Sequence, residues 1–152
     1  MARFIYRMQN ILNLKEKLET QAKNEFAMAS SAVNEEEAKL KALYDRKKAY
    51  EDRLKTLYES DLSLFDIRET SQAVELMDYQ IGIQQENLRR AEEILEYKRE
   101  ALKIAMQEKE TQEKLKENAF EVFKQEVKAA ESKEIDELVS YRFGQAKEEN
   151  NG

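Results

Sequence analysis

Apolar residues recur in steps of three and four along almost the whole chain of 152 residues. A stripe this narrow covers one side of a helix and seals it against one other helix, so it predicts a coiled coil rather than a globular core. Glu36 and Lys47 fill two further positions of the first half. The stripe comprises Phe4, Met8, Ile11, Leu14, Leu18, Ala22, Phe26, Ala29, Val33, Leu40, Leu43, Tyr50, Leu54 and Leu57, then Val74, Met77, Ile81, Leu88, Ala91, Leu95, Leu102, Ala105, Leu115, Ala119 and Val122.

The composition permits long uninterrupted helices. The chain has no proline, and its three glycines stand at positions 82, 144 and 152. Proline breaks a helix and glycine weakens one by about 1 kcal/mol, so little here opposes helix formation. Charged residues make up 38% of the chain, a fraction typical of disordered segments, but the periodic apolar residues favour a coiled coil instead.

The stripe has a break near residues 60–70, which predicts an all-α fold: one long two-stranded antiparallel coiled-coil hairpin spanning residues 1–152. We expect helix A at about 4–58, a junction at about 59–69, helix B at about 70–140 and a frayed tail at about 145–152. The step from Leu18 to Ala22 indicates a stutter, a local unwinding of the supercoil. Helices joined by a short connection become antiparallel neighbours. The predicted facing pairs are Leu54 with Met77, Leu40 with Ala91, Phe26 with Leu102 or Ala105, and Ile11 with Ala119.

The junction is unusually apolar for a solvated loop. Leu62, Leu64, Phe65 and Ile67 either plug the end of the coil or form a knob that binds a partner. The possible N-caps of the next helix are Ser60, Asp61, Ser63, Asp66, Thr70 and Ser71, and Asp66 with Glu69 has the spacing of a capping box.

The residue inventory excludes most catalytic chemistry. The chain has no Cys and no His, no Gly-rich phosphate loop and no metal-ligand spacing. Its carboxylates, such as those of Glu35 to Glu37, are typical of solvated helix faces. We therefore expect no enzyme, no catalytic residue, no cofactor and no metal.

Charge and hydropathy limit the partners. A net charge of -6 argues against nucleic-acid binding. No run is apolar enough for a bilayer span, and MARFIYRMQN lacks an apolar signal core, so we expect a cytoplasmic protein without direct membrane insertion. Tyr44 and Tyr79 lie off the stripe, and they either flank the seam or are exposed contact residues.

Both ends and the middle of the chain resemble one family. The opening FIYRMQNILNLKEKLE, the segment from Met77 to Ile81 followed by Gln84, and the ending ESKEIDELVSYRF are similar to the FliJ family of flagellar export proteins. The residues that match the family's ending are Glu131, Lys133, Asp136, Glu137 and Arg142.

The resemblance implies a specific role. FliJ proteins are antiparallel coiled coils similar to the stalk (gamma) subunit of rotary ATPases. They sit in the hexameric export ATPase FliI, reach toward the export gate protein FlhA, and help deliver export chaperones with their cargo. The paired stripes and the short junction predict a monomeric rod, and the resemblance implies that it is peripherally associated with the inner face of the cell membrane at the flagellar base.

The resemblance also implies two sets of contact residues. The set expected to bind the ATPase comprises Arg3, Arg7, Asp136, Glu137 and Arg142. The set expected to bind the export gate comprises Leu43, Tyr50, Met77 and Ile81. The alternative function is a self-associating structural scaffold or tether without an ATPase partner, which would need only a seam that continues into another copy.

Overall fold

The computed structural model describes residues 2–60 and 63–151, and these form two long helices that pack against each other. Helix α1 spans Gln9–Ser60 and helix α2 spans Leu64–Asn150. The described part of the chain contains no β-strand. The all-α helical hairpin predicted from the stripe is confirmed.

The helix bounds differ from the sequence-based ones at three places. Helix α1 begins at Gln9 instead of residue 4, because the residues before it are non-helical. Helix α2 begins at Leu64 instead of residue 70, and it runs to Asn150 instead of 140. The tail expected to fray is thus helical as far as Asn150.

Ser63 explains the early start of α2. The backbone N–H of Asp66 donates to Ser63 Oγ at 3.4 Å, and the N–H of Ile67 donates to the Ser63 carbonyl at 3.0 Å. Ser63 is therefore the N-cap residue, and Asp66 already lies within the first turn. The predicted capping box of Asp66 with Glu69 is wrong.

The apolar plug predicted for the junction is wrong for Leu64 and Phe65. Leu64 and Phe65 are exposed over 80% and 73% of their surface. Ile67 is half-buried, and Leu62 lies outside the described residues. The alternative, a knob that binds a partner, stays a prediction.

The seam of α1 is regular from Leu12 to Leu57. Apart from Glu25 and Ser30, which are half-buried beside the seam, the buried and half-buried side chains recur in alternating steps of three and four, without the stutter expected after Leu18. Glu36 and Lys47 occupy seam positions, as the sequence predicts. The full set is Leu12, Lys15, Glu19, Ala22, Phe26, Ala29, Val33, Glu36, Leu40, Leu43, Lys47, Tyr50, Leu54 and Leu57.

The sequence-based stripe has the wrong phase near the N-terminus. Ile11, Leu14 and Leu18 are exposed, whereas Leu12 and Glu19 are buried. Polar residues can take seam positions here because they have partners: Lys15 Nζ lies 2.9 Å from Glu108 Oε2, and Lys23 Nζ lies 2.7 Å from Glu19 Oε1.

The seam of α2 shows the same kind of shift near residue 120. Leu115 and Val122, assigned to the stripe from sequence, are exposed. Lys116 and Phe123, one residue further along, are half-buried in their place. Lys98, Lys109 and Gln112, where the apolar stripe fades, are half-buried seam residues. Lysine stems can line a seam while their ammonium groups reach water.

The packed helices divide into two units: one of Glu19–Ala105, and one of Met1–Leu18 with Met106–Gly152. In the first unit, polar contacts cross the seam in antiparallel order. Lys98 Nζ lies 3.2 Å from Glu25 Oε2, and Lys47 Nζ lies 2.7 Å from Asp78 Oδ1. Between them, Gln84 Nε2 donates to the Glu36 carbonyl at 3.0 Å and also to the Glu36 carboxylate.

These contacts shift the pKa values of the charged groups that take part. The hydrogen bond from Gln84, assisted by Lys39, lowers the pKa of Glu36. The bond with Asp78 raises the pKa of Lys47. Both shifts favour the charged forms, so the cross-seam contacts persist through neutral pH.

The second unit is held by aromatic and polar contacts. The Phe4 ring lies 5.1 Å from that of Phe120 and 5.4 Å from that of Phe123, measured between centroids. Tyr6 Oη donates to Gln112 Oε1 at 3.2 Å, and Lys116 Nζ donates to Gln9 Oε1 at 2.8 Å.

The observed register differs from the predicted one. Lys47, two helical turns before Leu54, bonds to Asp78, so Leu54 does not lie opposite Met77. The Arg99 guanidinium lies 5.9 Å from the centroid of the Phe26 ring. Ile11 is exposed and cannot face Ala119 within the seam. The apolar stripe repeats every seven residues and so tolerates several registers, whereas the polar contacts select one.

The register yields a crosslinking test. In a Glu36→Cys/Gln84→Cys variant, a short bismaleimide should join the two thiols within one chain, because the native side chains bond across the seam. A Leu54→Cys/Met77→Cys variant, which represents the sequence-based register, should crosslink much more slowly. The reverse order of rates, read from gel mobility and peptide mass, would show that the register is wrong.

The phase of the seam yields a stability test with a matched pair of leucines. Leu12 is 3% exposed and Leu14 is 52% exposed. Leu12→Ala should lower the free energy of unfolding by about 2 kcal/mol, since it opens a cavity in the seam. Leu14→Ala should change it by no more than about 0.5 kcal/mol. Equal effects in chemical denaturation would contradict the observed phase.

Candidate functional site

The last part of α2, residues 128–150, carries the most prominent surface left open by the fold. We call it the terminal segment. All of its side chains are exposed, although the backbone is continuously helical. The seam ends just before it, at the half-buried Val127. No seam residue therefore explains the apolar side chains that follow, namely Ile135, Leu138, Val139, Tyr141 and Phe143.

Four of these side chains form a single face. Ile135, Leu138, Val139 and Phe143 have the spacing of one side of a helix, and each is at least 59% exposed. Large apolar side chains grouped in this way are typical of interaction surfaces. We call this group the terminal apolar face.

The charged residues predicted to bind the ATPase lie at different angles around this face. Arg142 lies within it, between Leu138 and Val139 in projection, and Asp136 lies at its edge beside Phe143. Glu137 lies on the opposite side of the helix. All three charged side chains are exposed, and none makes an ion pair within residues 2–60 and 63–151.

The non-helical residues 2–8 place Arg3 and Arg7 in the same unit as the terminal segment. Phe4 packs on Phe120 and Phe123, so the flanking Arg3 and Arg7 are held beside α2 and remain exposed. A surface depression of about 290 Å³ lies here, lined in part by Phe4, Arg7 and Phe123.

The predicted ATPase-binding residues therefore form two clusters rather than one patch. Asp136 lies thirteen residues beyond Phe123, which corresponds to about 20 Å along a helix. The sequence-based set includes the charges of both clusters but misses the terminal apolar face. The spacing of Ile135, Leu138, Val139 and Phe143 was the signal that could have identified it.

The residues predicted to bind the export gate are mostly occupied by helix pairing. Met77 and Ile81 are only 4% and 6% exposed. Leu43 and Tyr50 are half-buried seam residues on α1. The burial of Met77 and Ile81 leaves almost no surface for a partner, so any influence of these two on gate binding would be through the position of their neighbours.

Tyr44 and Tyr79 are exposed, which agrees with the second of the two alternatives for their positions off the stripe. Tyr44 Oη accepts a hydrogen bond from Gln85 Nε2 at 2.8 Å, so its ring is held against α2 with one side open to solvent. Tyr79 lies on the outer side of α2, with 69% of its surface exposed.

Within the described residues, no cluster of three or more Cys, His, Asp or Glu side chains could hold a metal ion. Over residues 2–60 and 63–151, neither helix has a stretch with the length and hydropathy needed to cross a bilayer.

Comparison with known proteins gives one match. The sequence model of the family described as "Flagellar FliJ protein" matches residues 4–148. No curated protein and no solved structure matches the chain significantly. The match includes both the N-terminal residues beside Phe120 and most of the terminal segment.

The terminal segment should be dispensable for folding. Its side chains bury nothing against the rest of the chain, so deleting residues 128–152 should leave the melting temperature unchanged while helical ellipticity falls with the helix removed. Circular dichroism measures both quantities. A clear drop in melting temperature would show that the segment folds back on the rest of the protein.

Proposed function

Because this chain belongs to the FliJ family of flagellar proteins, with a role related to flagellar export, we propose that it is a non-enzymatic stalk of the export apparatus. In this proposal it binds the hexameric export ATPase FliI, links it to the export gate protein FlhA and assists the delivery of chaperone–cargo complexes. It acts in the cytoplasm, at the inner face of the cell membrane at the flagellar base.

The terminal apolar face is the observation that supports this proposal most strongly. A helix of this length is marginally stable alone in water, and exposing four large apolar side chains along it offers no advantage to folding. A partner that covers the face would bury these side chains and stabilise the helix. The face belongs to the end of the chain that the family resemblance assigns to the ATPase.

The charged residues around the face differ in how they are placed to take part in the proposed contact. Arg142 lies within it and Asp136 at its edge, so both are placed to pair with charges of the ATPase at the rim of the interface. Arg3 and Arg7 add positive charge beside Phe4, about 20 Å away along α2. Glu137 faces the opposite side and would contribute only if the ATPase surrounds the helix.

Contact with the export gate is proposed for the α1 side of the hairpin. Leu43 and Tyr50 are half-buried and keep some open surface, and the neighbouring Tyr44 is exposed. An aromatic side chain held by a hydrogen bond is a suitable anchor for a partner, because little of its freedom remains to be lost on binding.

Substitutions within the terminal segment test the ATPase contact directly. Phe143→Asp should weaken binding to the purified export ATPase by about tenfold or more, because it places a charge in the buried patch. Tyr141→Asp is the matched control, since Tyr141 is also an exposed aromatic but lies off the face. Both variants should melt at the wild-type temperature.

A charge pair gives a second comparison. Asp136→Lys should weaken the complex more than Glu137→Lys, and its defect should shrink as salt rises because rim charges are screened. Sedimentation or titration calorimetry with the ATPase measures both.

Wild-type affinity for Phe143→Asp, or equal effects of Phe143→Asp and Tyr141→Asp, would show that this face is not the ATPase contact.

A further inference from the structure

A second apolar stripe runs along the outer side of α2, well away from the seam. We call it the outer stripe. Its side chains are between 47% and 72% exposed, and all belong to the unit of Glu19–Ala105. Neither the seam nor the proposed ATPase contact uses them. The outer stripe consists of Leu76, Tyr79, Ile83, Ile94, Tyr97 and Ile104.

Gly82 lies at the edge of this surface, and the fold does not need a glycine there. Its φ angle is not positive, and a Cβ built at this position would meet nothing within 4 Å. Glycine in a helix interior is destabilising relative to alanine. The residue forms the floor of a shallow depression of about 580 Å³, bordered by Tyr79, Ile83, Glu86 and Arg90. Because glycine has no side chain, another molecule can approach the α2 backbone closely at this point.

Charges of opposite sign interrupt the outer stripe one turn apart. Arg90 Nε lies 3.4 Å from Glu86 Oε1, and Arg89 bonds to both Glu86 and Glu93. The hydrogen bond from Arg89 lowers the pKa of Glu86 to about 2, so Glu86 is a carboxylate at any physiological pH. The centre of the stripe thus presents a permanent negative charge and a permanent positive charge side by side.

The order of residues along the stripe is self-complementary. If a second α2 is laid against the first in the opposite direction, with the two-fold axis near Leu88, Glu86 of each copy faces Arg90 of the other. In the same register Tyr79 faces Tyr97. Ile83 lies beside Ile94 of the second copy, because both occupy the same side of the helix. We propose that the outer stripe docks a second copy of this chain in this antiparallel, two-fold arrangement.

The size of the surface determines how strong the association is. From Leu76 to Ile104 the stripe is about 42 Å long, and a helix about 10 Å wide buries on the order of 400 Å² per copy along it. A total on the order of 800 Å² falls below the ~1,200 Å² of stable interfaces. The dimer is therefore reversible, and the isolated chain is a monomer when dilute. This association does not depend on the proposed export function.

A charge-reversal experiment tests the arrangement. Sedimentation equilibrium up to the high micromolar range should show a reversible dimer for the wild-type chain. In both halves of the dimer, Glu86→Arg sets two arginines opposite each other, and Arg90→Glu sets two glutamates opposite each other. Each variant alone should raise the dissociation constant by about tenfold or more.

Mixing the two variants should restore association. In the mixed pair every arginine again faces a glutamate, so the dissociation constant should return to near the wild-type value. Loss of helix stability in the single variants cannot produce this rescue, because neither chain changes on mixing. Wild-type chains that stay monomeric throughout, or single variants that do not recover on mixing, would overturn the proposal.

Gly82→Ala should change the stability of the chain and the strength of the dimer in opposite directions, which gives an independent test. It should raise the melting temperature of the dilute chain by about 2 to 4 °C, since alanine favours the helix and nothing lies in its way. It should also weaken the dimer, since the added methyl group enters the depression beside Tyr79, where Tyr97 of the second copy packs. A stabilised variant that dimerises like wild type would show that a different surface joins the copies. Weaker ATPase binding with unchanged dimerisation would assign the outer stripe to that partner instead.

Discussion

The two-helix seam is the constraint on which the rest of this structure depends. One helix packed against one other can bury only a narrow strip of each, and no described side chain is less than 2% exposed. Burial therefore supplies the attraction between the helices but selects poorly between registers, because a stripe that repeats every seven residues fits many registers.

The selectivity between registers comes from polar seam residues. Glu36 with Gln84 and Lys47 with Asp78 have partners in the observed register and would lose them in another. An unsatisfied polar group in the seam costs more than the hydrogen bond contributes, so these contacts act mainly against the wrong alignments.

This division of roles explains how much of the fold could be predicted from sequence. The two helices, their antiparallel packing and most of the seam follow from apolar spacing and the absence of proline. The phase at the N-terminus could not be obtained in this way, since Ile11, Leu14 and Leu18 are spaced as well as the true seam residues Leu12, Lys15 and Glu19. Apolar spacing favours the three hydrophobic residues. The structure favours the set that continues in step with the heptads after Ala22 and gives Lys15 a partner in Glu108. That partner is distant in sequence, and its position depends on the register.

The candidate site shows the complementary limit. Sequence resemblance selects charged residues such as Asp136, Glu137 and Arg142, because charge patterns are what short coiled-coil motifs display. It does not reveal which of them border a face left open by the fold. Helical geometry separates Asp136 from Glu137, and burial separates the occupied Met77 and Ile81 from the open Tyr44 and Tyr79. The burial of Met77 and Ile81 depends on the register, and the openness of the terminal face depends on where the seam ends; the stripe alone fixes neither.

A thin coiled coil also has consequences for the surfaces outside the seam. Since little apolar area is buried, the large apolar residues that remain, including the terminal apolar face and the outer stripe, cannot be a surplus of core-forming residues. The two surfaces share no residue, and each is interrupted by its own charges, Arg142 in one case and Glu86 with Arg90 in the other. Gly82 borders only the outer stripe, where it makes the helix less stable without relieving any strain within the chain. Such a residue is best explained by close packing with another molecule, whereas the terminal face, which has no glycine, is suited to a partner that receives protruding side chains such as Phe143.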